Sequence, residues 1–130
     1  MILIDTSVRI DLPRELGSAH VEKALHALRN ETVVIGDLVL LESLQGVRHE
    51  RDVARILGIV ADLQRETLFG PAIAEKAAAN HRDLRKRGLT IRGTLDVVIA
   101  TWCIENGAAI ILNDRDMGAM EAHLGLRAYA

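Results

Sequence analysis

Aromatic residues are nearly missing from this chain. Of 130 residues only Phe69, Trp102 and Tyr129 carry an aromatic ring. That excludes a nucleic-acid surface built from rows of stacked bases and leaves core filling to Leu, Ile, Val and Ala. Cysteine is scarcer still: Cys103 stands alone, so there is neither a disulfide framework nor a Cys-rich zinc site. Its setting, the apolar run "VVIATWCI", marks a packed thiol rather than a nucleophile. No apolar run approaches the ~18 residues of a membrane span. The opening "MILID" enters a strand-like run at once, without a basic leader, and the expected location is cytoplasmic with no membrane attachment. A surplus of cations is missing too. The 16 basic and 18 acidic residues leave a formal charge of −2, which excludes a generally basic nucleic-acid binder but says nothing of local patches. No P-loop or dinucleotide-binding glycine pattern is present, and His20, His26, His49, His81 and His123 form no close zinc pattern.

What is there is aliphatic: hydrophobic residues make up 49% of the chain. Residues 1–4 and 108–112 are continuous apolar runs of strand length, the pattern of strands covered on both faces. "TVVIG" (32–36) is a third candidate strand and "ETLF" (66–69) a fourth. Between them lie helical periods: Val21, Ala24, Leu25, Leu28, and again Val53, Ile56, Leu57, Val60. Asp37 is placed to cap a helix carrying Leu38, Leu41 and Leu44 on one stripe. A further helix is expected from Pro71 to Gly88, and another from a Thr94 cap to about Gly107. Strands alternating with helices predict an α/β domain with a mainly parallel sheet, one domain over residues 1–130.

In open sheets of this kind, ligands bind beyond the carboxyl ends of the strands. Asp5 ends the first apolar run, and Asp114 and Asp116 follow the last, in "AAIILNDRDMG". Each can also be read as a helix cap. Glu42 interrupts "DLVLLESL", and Asp96 lies in "TLDVVIATWCI" ahead of a nearly all-apolar helix. The structural alternative for Asp96 is dipole stabilisation, about 0.3–1 kcal/mol; for Glu42 it is a carboxylate reaching water at a helix edge. Were these acids to converge, they could not all stay ionised without a counter-charge. An all-oxygen set with no patterned His or Cys favours Mg²⁺ or Mn²⁺ over zinc. Cations are supplied locally by "HRDLRKRG", with Arg82, Arg85, Lys86 and Arg87, and by Arg92 just ahead of Asp96. For the helix cations a solvated face is the favoured reading; Arg92, whose loop leads straight to Asp96, is the better candidate for a phosphate contact.

Taken in order, these segments resemble the PIN-domain ribonucleases, and most closely the VapC-type toxins of prokaryotic toxin–antitoxin pairs. The carriers are "DTS" at Asp5 to Ser7, Glu42 in "LLESLQG", Asp96 in "TLDVVIA", and Asp114 with Asp116 in "ILNDRDM". Leu112 stands where the family commonly has Thr, Met117 where it has Phe, and Arg9 where an aromatic is common. Asn113, Thr6 or Ser7 are then the candidates to orient Asp114. The resemblance implies a three-layer α/β/α PIN-like domain with a mainly parallel sheet of four to five strands. It also implies Mg²⁺- or Mn²⁺-dependent RNA cleavage, a homodimer, and a cognate VapB-type antitoxin that covers the active-site groove. On that basis Asp5, Asp96 and Asp114 would ligate a metal, Asp116 a second ion or the first, and Glu42 would orient or deprotonate the attacking water. Arg92 and Arg85 are the candidates to contact RNA. The competing readings are a catalytically silent PIN-like module that binds RNA or antitoxin, and a DNA nuclease using the same site.

Overall fold

The computed structural model describes residues 1–5, 26–91, 93–111 and 116–129. Their centre is a sheet of five parallel strands: β1 (Ile2–Ile4), β2 (Val33–Gly36), β3 (Gln64–Glu66), β4 (Ala109–Ile111) and β5 (Arg127–Ala128), in the order β3-β2-β1-β4-β5. The apolar runs become the three central strands. Ile2 lies beside Val33 on one flank and Ala109 on the other, and Ile4 beside Ile111. Parallel strands need crossovers, and helices supply them: α1 (Asp37–Gln45), α2 (Glu50–Val60), α3 (Pro71–Lys86), α4 (Thr94–Asn106) and α5 (Asp116–Leu124).

Alternation along the strands divides the core in two. Leu3, Val34 and Ile110 face a cluster with Val60, Leu84, Ile99, Met117 and Met120. Ile2, Ile4, Val33, Ala109 and Ile111 face the other way, onto Ala27, which lies in the helical stretch 26–30. Sheet faces buried on both sides explain why the central strands read as unbroken hydrocarbon, and the three-layer expectation follows. α4 is buried along seven consecutive residues, Val97–Cys103, as its all-round apolarity predicts.

Several sequence expectations shift in detail. The fourth strand is Gln64–Glu66 rather than 66–69, because Leu68 leaves the ladder: its N–H donates to Asp37 Oδ1 at 2.9 Å while its side chain is fully buried. The caps expected at Asp37 and Thr94 fall one residue earlier, on Gly36 and Gly93, so both polar residues open their helices instead. On α1 the buried residues are Val39 and Ser43, whereas Leu41 is exposed. Leu28 and Leu57 are also exposed; Ala27, Ile56 and Val60 carry the packing of their stretches. Helix α3 begins at Pro71 as expected and ends at Lys86, with Gly88 in the left-handed region (φ 79°). The short strand β5 lies at a sheet edge and has no apolar alternation to announce it.

Candidate active site

Because all five strands run parallel, their carboxyl ends open on one edge of the sheet. Asp5 stands there, one residue beyond β1. Its N–H donates to the Ile111 carbonyl at 3.2 Å, which extends the β1–β4 ladder and fixes the residue's position. Only 6% of it is exposed. A carboxyl group this deep needs compensation by partners. Its negative charge bears on the Cys103 thiol of α4: burial, and secondarily Asp5, push that thiol up to about 12. Asp5 and α4 are therefore electrostatic neighbours, and Cys103 is the packed, inert thiol that its sequence context implied.

Asp96 stands on the first turn of α4, where the helix dipole favours a negative charge. Its N–H donates to the Gly93 carbonyl at 3.1 Å, and its carboxylate lies against the Gly93 α-carbon. A methyl group on Gly93 would stand 2.7 Å from Asp96 Oδ2 and 3.2 Å from Cγ. Gly93 leaves the space that the Asp96 carboxylate occupies, a contact that sequence reading missed; the signal available was a glycine directly before "TLD".

Glu42 is half-buried on α1, which extends from the end of β2 and packs on α4. It lines a cleft of about 390 Å³ between α1 and α2, with Arg48, His49, Asp52 and Arg55 around it. Arg55 is tied to Asp52 at 3.6 Å. Among the described residues no three His, Cys, Asp or Glu side chains are grouped so as to hold a metal ion. The described acids thus do not bring Glu42 into one three-acid group with Asp5 and Asp96. Asp114 lies outside the described residues, as do Thr6, Ser7, Asn113 and Arg92. For Asp116 the backbone is described, as the start of α5, and the side chain is not. Next to it Met117 is fully buried, so it serves as the apolar anchor in the place where Phe is common.

Arg85 is exposed on the last turn of α3 and lines a second groove, of roughly 400 Å³, between α3 and the start of α4. That groove also carries Phe69, His81, Arg82 and Thr94. His81 is half-buried, as its helical register predicts.

The fold and these carboxylates define a class: a parallel α/β domain with acidic residues at the carboxyl edge of its sheet. The chain belongs to the PIN domain family, which it matches over residues 2–122. Among curated proteins it is similar to the VapC ribonuclease Mb1587 of Mycobacterium bovis and to ribonuclease VapC11 of Mycobacterium tuberculosis. Each is 28% identical over 130 residues, covering 98% of this chain and 97% of the relative. Among solved structures it resembles VapBC2 from Rickettsia felis bound to a promoter DNA fragment (TM-score 0.77, 17% identity, 98% of this chain and 97% of that one). It likewise resembles VapBC-1 from nontypeable Haemophilus influenzae (TM-score 0.74, 16% identity, 98% and 96%). Among the described residues no helix is long and apolar enough to cross a membrane.

Proposed function

We propose that this chain is a metal-dependent endoribonuclease of the VapC type, the toxin of a type II toxin–antitoxin pair. The observation that carries the reading is the placement of Asp5 and Asp96: one buried at the end of β1 against α4, the other on the first turn of α4, in a chain of the PIN domain family. Curated relatives of the same length are named as VapC ribonucleases.

The donor set suits a hard cation, since carboxylate oxygens are what Mg²⁺ or Mn²⁺ prefers. Asp5, Asp96 and Asp114 would hold the ion, with Asp116 holding a second one or supporting the first. When bound, the metal supplies Lewis acidity at the phosphate and lowers the pKa of attacking water. Glu42, which lines the neighbouring cleft between α1 and α2, would orient that water or take its proton. Asn113, Thr6 or Ser7 would orient Asp114, and Arg92 and Arg85 would contact the RNA backbone. The product ends are a 5′-phosphate and a 3′-hydroxyl, and loss of the cut RNAs inhibits translation. The protein acts in the cytoplasm as a homodimer of single-domain subunits, held silent by a VapB-type antitoxin lying over the site. Chains from the solved VapBC2 and VapBC-1 structures share this fold.

The test is cleavage of single-stranded RNA, with matched DNA in parallel, in Mg²⁺, in Mn²⁺ and in EDTA. Metal-dependent RNA cuts with 5′-phosphate ends are expected, abolished by chelator and by Asp96→Asn at unchanged circular dichroism. A 2′,3′-cyclic phosphate end, or full activity in EDTA, would overturn the mechanism. Cleavage of DNA alone would reassign the substrate, and metal-bound protein that never turns over would leave a silent binding module.

A further inference from the structure

The groove between α3 and α4 has two unlike ends. Along α3 its lining residues fall at 74, 77, 78, 81, 82 and 85, the spacing of one helical face. The first three are alanines; His81, Arg82 and Arg85 follow. Phe69, the only phenylalanine of the chain, borders the groove with 54% of its surface exposed. A large aromatic ring left in water beside a flat apolar strip, with guanidinium groups further along, matches what single-stranded nucleic acid needs: a stacking platform and phosphate contacts.

Two more observations narrow the occupant. Arg82 and Arg85 make no ion pair among the described residues, whereas Lys76 of the same helix and Arg87 just past its end are paired, to Glu105 at 2.7 Å and Asp83 at 3.5 Å. Two cations are thus uncommitted on the groove side. The groove also adjoins, along the chain, the turn of α4 that carries Asp96. Its other wall begins at Thr94, two residues before Asp96. Lys76 meets Glu105 and Asn80 meets Thr101, so α3 and α4 run antiparallel and the basic end of α3 comes level with the first turn of α4.

We infer that this groove is a nucleotide subsite. It stacks one base of a single-stranded RNA on Phe69 and holds neighbouring phosphates on Arg82 and Arg85, leading the strand to the carboxylates at the start of α4. The inference rests on the ribonuclease reading and specifies where its substrate lies. One aromatic ring gives one stacking position, which agrees with a chain too poor in aromatics for a row of them. An acidic protein segment would also meet the arginines, but Asp96, on the same turn of α4 as the lining residues Thr94 and Val97, favours a phosphodiester chain over a second acidic group.

The experiment is fluorescence anisotropy of the full chain with a fluorescein-labelled, mixed-sequence 12-nucleotide RNA in EDTA, so that no cutting occurs. Base stacking of ~1–3 kcal/mol corresponds to a fivefold or greater loss of affinity in Phe69→Ala, with Phe69→Tyr close to wild type. Arg82→Ala should weaken binding and lower the salt slope by about one phosphate contact. Affinities of Phe69→Ala and Arg82→Ala within twofold of wild type would overturn the proposal. So would a changed sedimentation coefficient of RNA-free Phe69→Ala with RNA affinity intact, since the groove would then be an interface between copies. Failure of the ribonuclease reading looks different: wild type would cut no RNA in Mg²⁺ or Mn²⁺, while binding would still depend on Phe69.

Discussion

The Asp96 carboxylate lies so close over the α-carbon of Gly93 that a methyl there would stand 2.7 Å from Oδ2. Gly93 itself has an ordinary extended backbone (φ −94°, ψ 107°), which an alanine adopts without strain. Space for the acid is what the glycine provides.

Gly93→Ala should therefore separate activity from stability. The carboxylate can rotate away from the added methyl, so folding changes by less than about 1 kcal/mol, and a less flexible unfolded chain offsets part of that. With Asp96 in its proposed metal-holding role, displacement is costlier for chemistry, where misplacement by an ångström can cost ~100-fold. Turnover should fall at least tenfold and half-maximal activity should need more Mg²⁺, both read from cleavage rates across a metal titration. Wild-type rates and metal dependence in Gly93→Ala would show that the contact has no catalytic consequence.

Cys103 should make stability fall at alkaline pH. Its thiol is pushed up to about 12 from an ordinary 9.0, first by burial and then by Asp5. Above pH 9 the unfolded chain releases this proton while the folded chain keeps it. The stabilisation is thus complete below 9 and is lost as pH rises toward 12, at up to about 1.4 kcal/mol per pH unit. Urea denaturation between pH 8 and 10.5, with EDTA present so that no metal alters the charge at Asp5, should show wild type losing stability faster than Cys103→Ala. Parallel curves would mean that the thiol does not titrate differently in the two states.

Legibility in the sequence followed the physics of each element. Strands β1, β2 and β4 were readable because burial on both faces forces unbroken aliphatic runs, and α3 because Pro71 and Gly88 bracket it. β3, as "QRE", and β5, as "RA", were not: they lie at the edges of the sheet, where no face demands hydrocarbon. The α1 stripe was misplaced because Ser43, though polar, is buried with its hydroxyl donating to the Val39 carbonyl at 2.6 Å, while Leu41 faces out. Of the site, Asp5 was legible as an acid ending a buried run, and Asp96 as an acid opening a buried helix. Gly93 was hidden because its role is an interatomic distance, and the α3–α4 groove because it needs two helices and Phe69 brought together.

Gly36→Ala should destabilise without touching the carboxylates. A methyl on Gly36 would overlap the Leu68 side chain, which is fully buried and whose N–H is held by Asp37 at 2.9 Å. Little room exists for relief, so an overpacking cost of about 1–3 kcal/mol is expected. Leu68→Ala should then cost less in the Gly36→Ala background than in wild type, because it removes the overlapping atoms. Strict additivity in urea denaturation would count against this contact.

Two ties join α3 to α4, and they should differ in strength and in response to salt. Lys76–Glu105 is short, at 2.7 Å, but its side chains are 53% and 37% exposed, so water and counter-ions screen it and its loss should cost about 0–1 kcal/mol. Thr101 is fully buried: its hydroxyl donates to the Val97 carbonyl at 2.6 Å and accepts from Asn80 Nδ2 at 2.9 Å. Thr101→Val keeps the shape but strands the half-buried Asn80 amide, and an unsatisfied donor costs about 1–3 kcal/mol. Urea denaturation at low and at 1 M salt should show Lys76→Met mattering only at low salt and Thr101→Val mattering equally in both. Because the two helices wall the groove proposed to hold RNA, Thr101→Val should also weaken RNA binding at a temperature where the fold is intact, while Lys76→Met leaves it unchanged. Equal costs for the two variants, or a salt-sensitive cost for Thr101→Val, would mean that the helices are held together chiefly by charge.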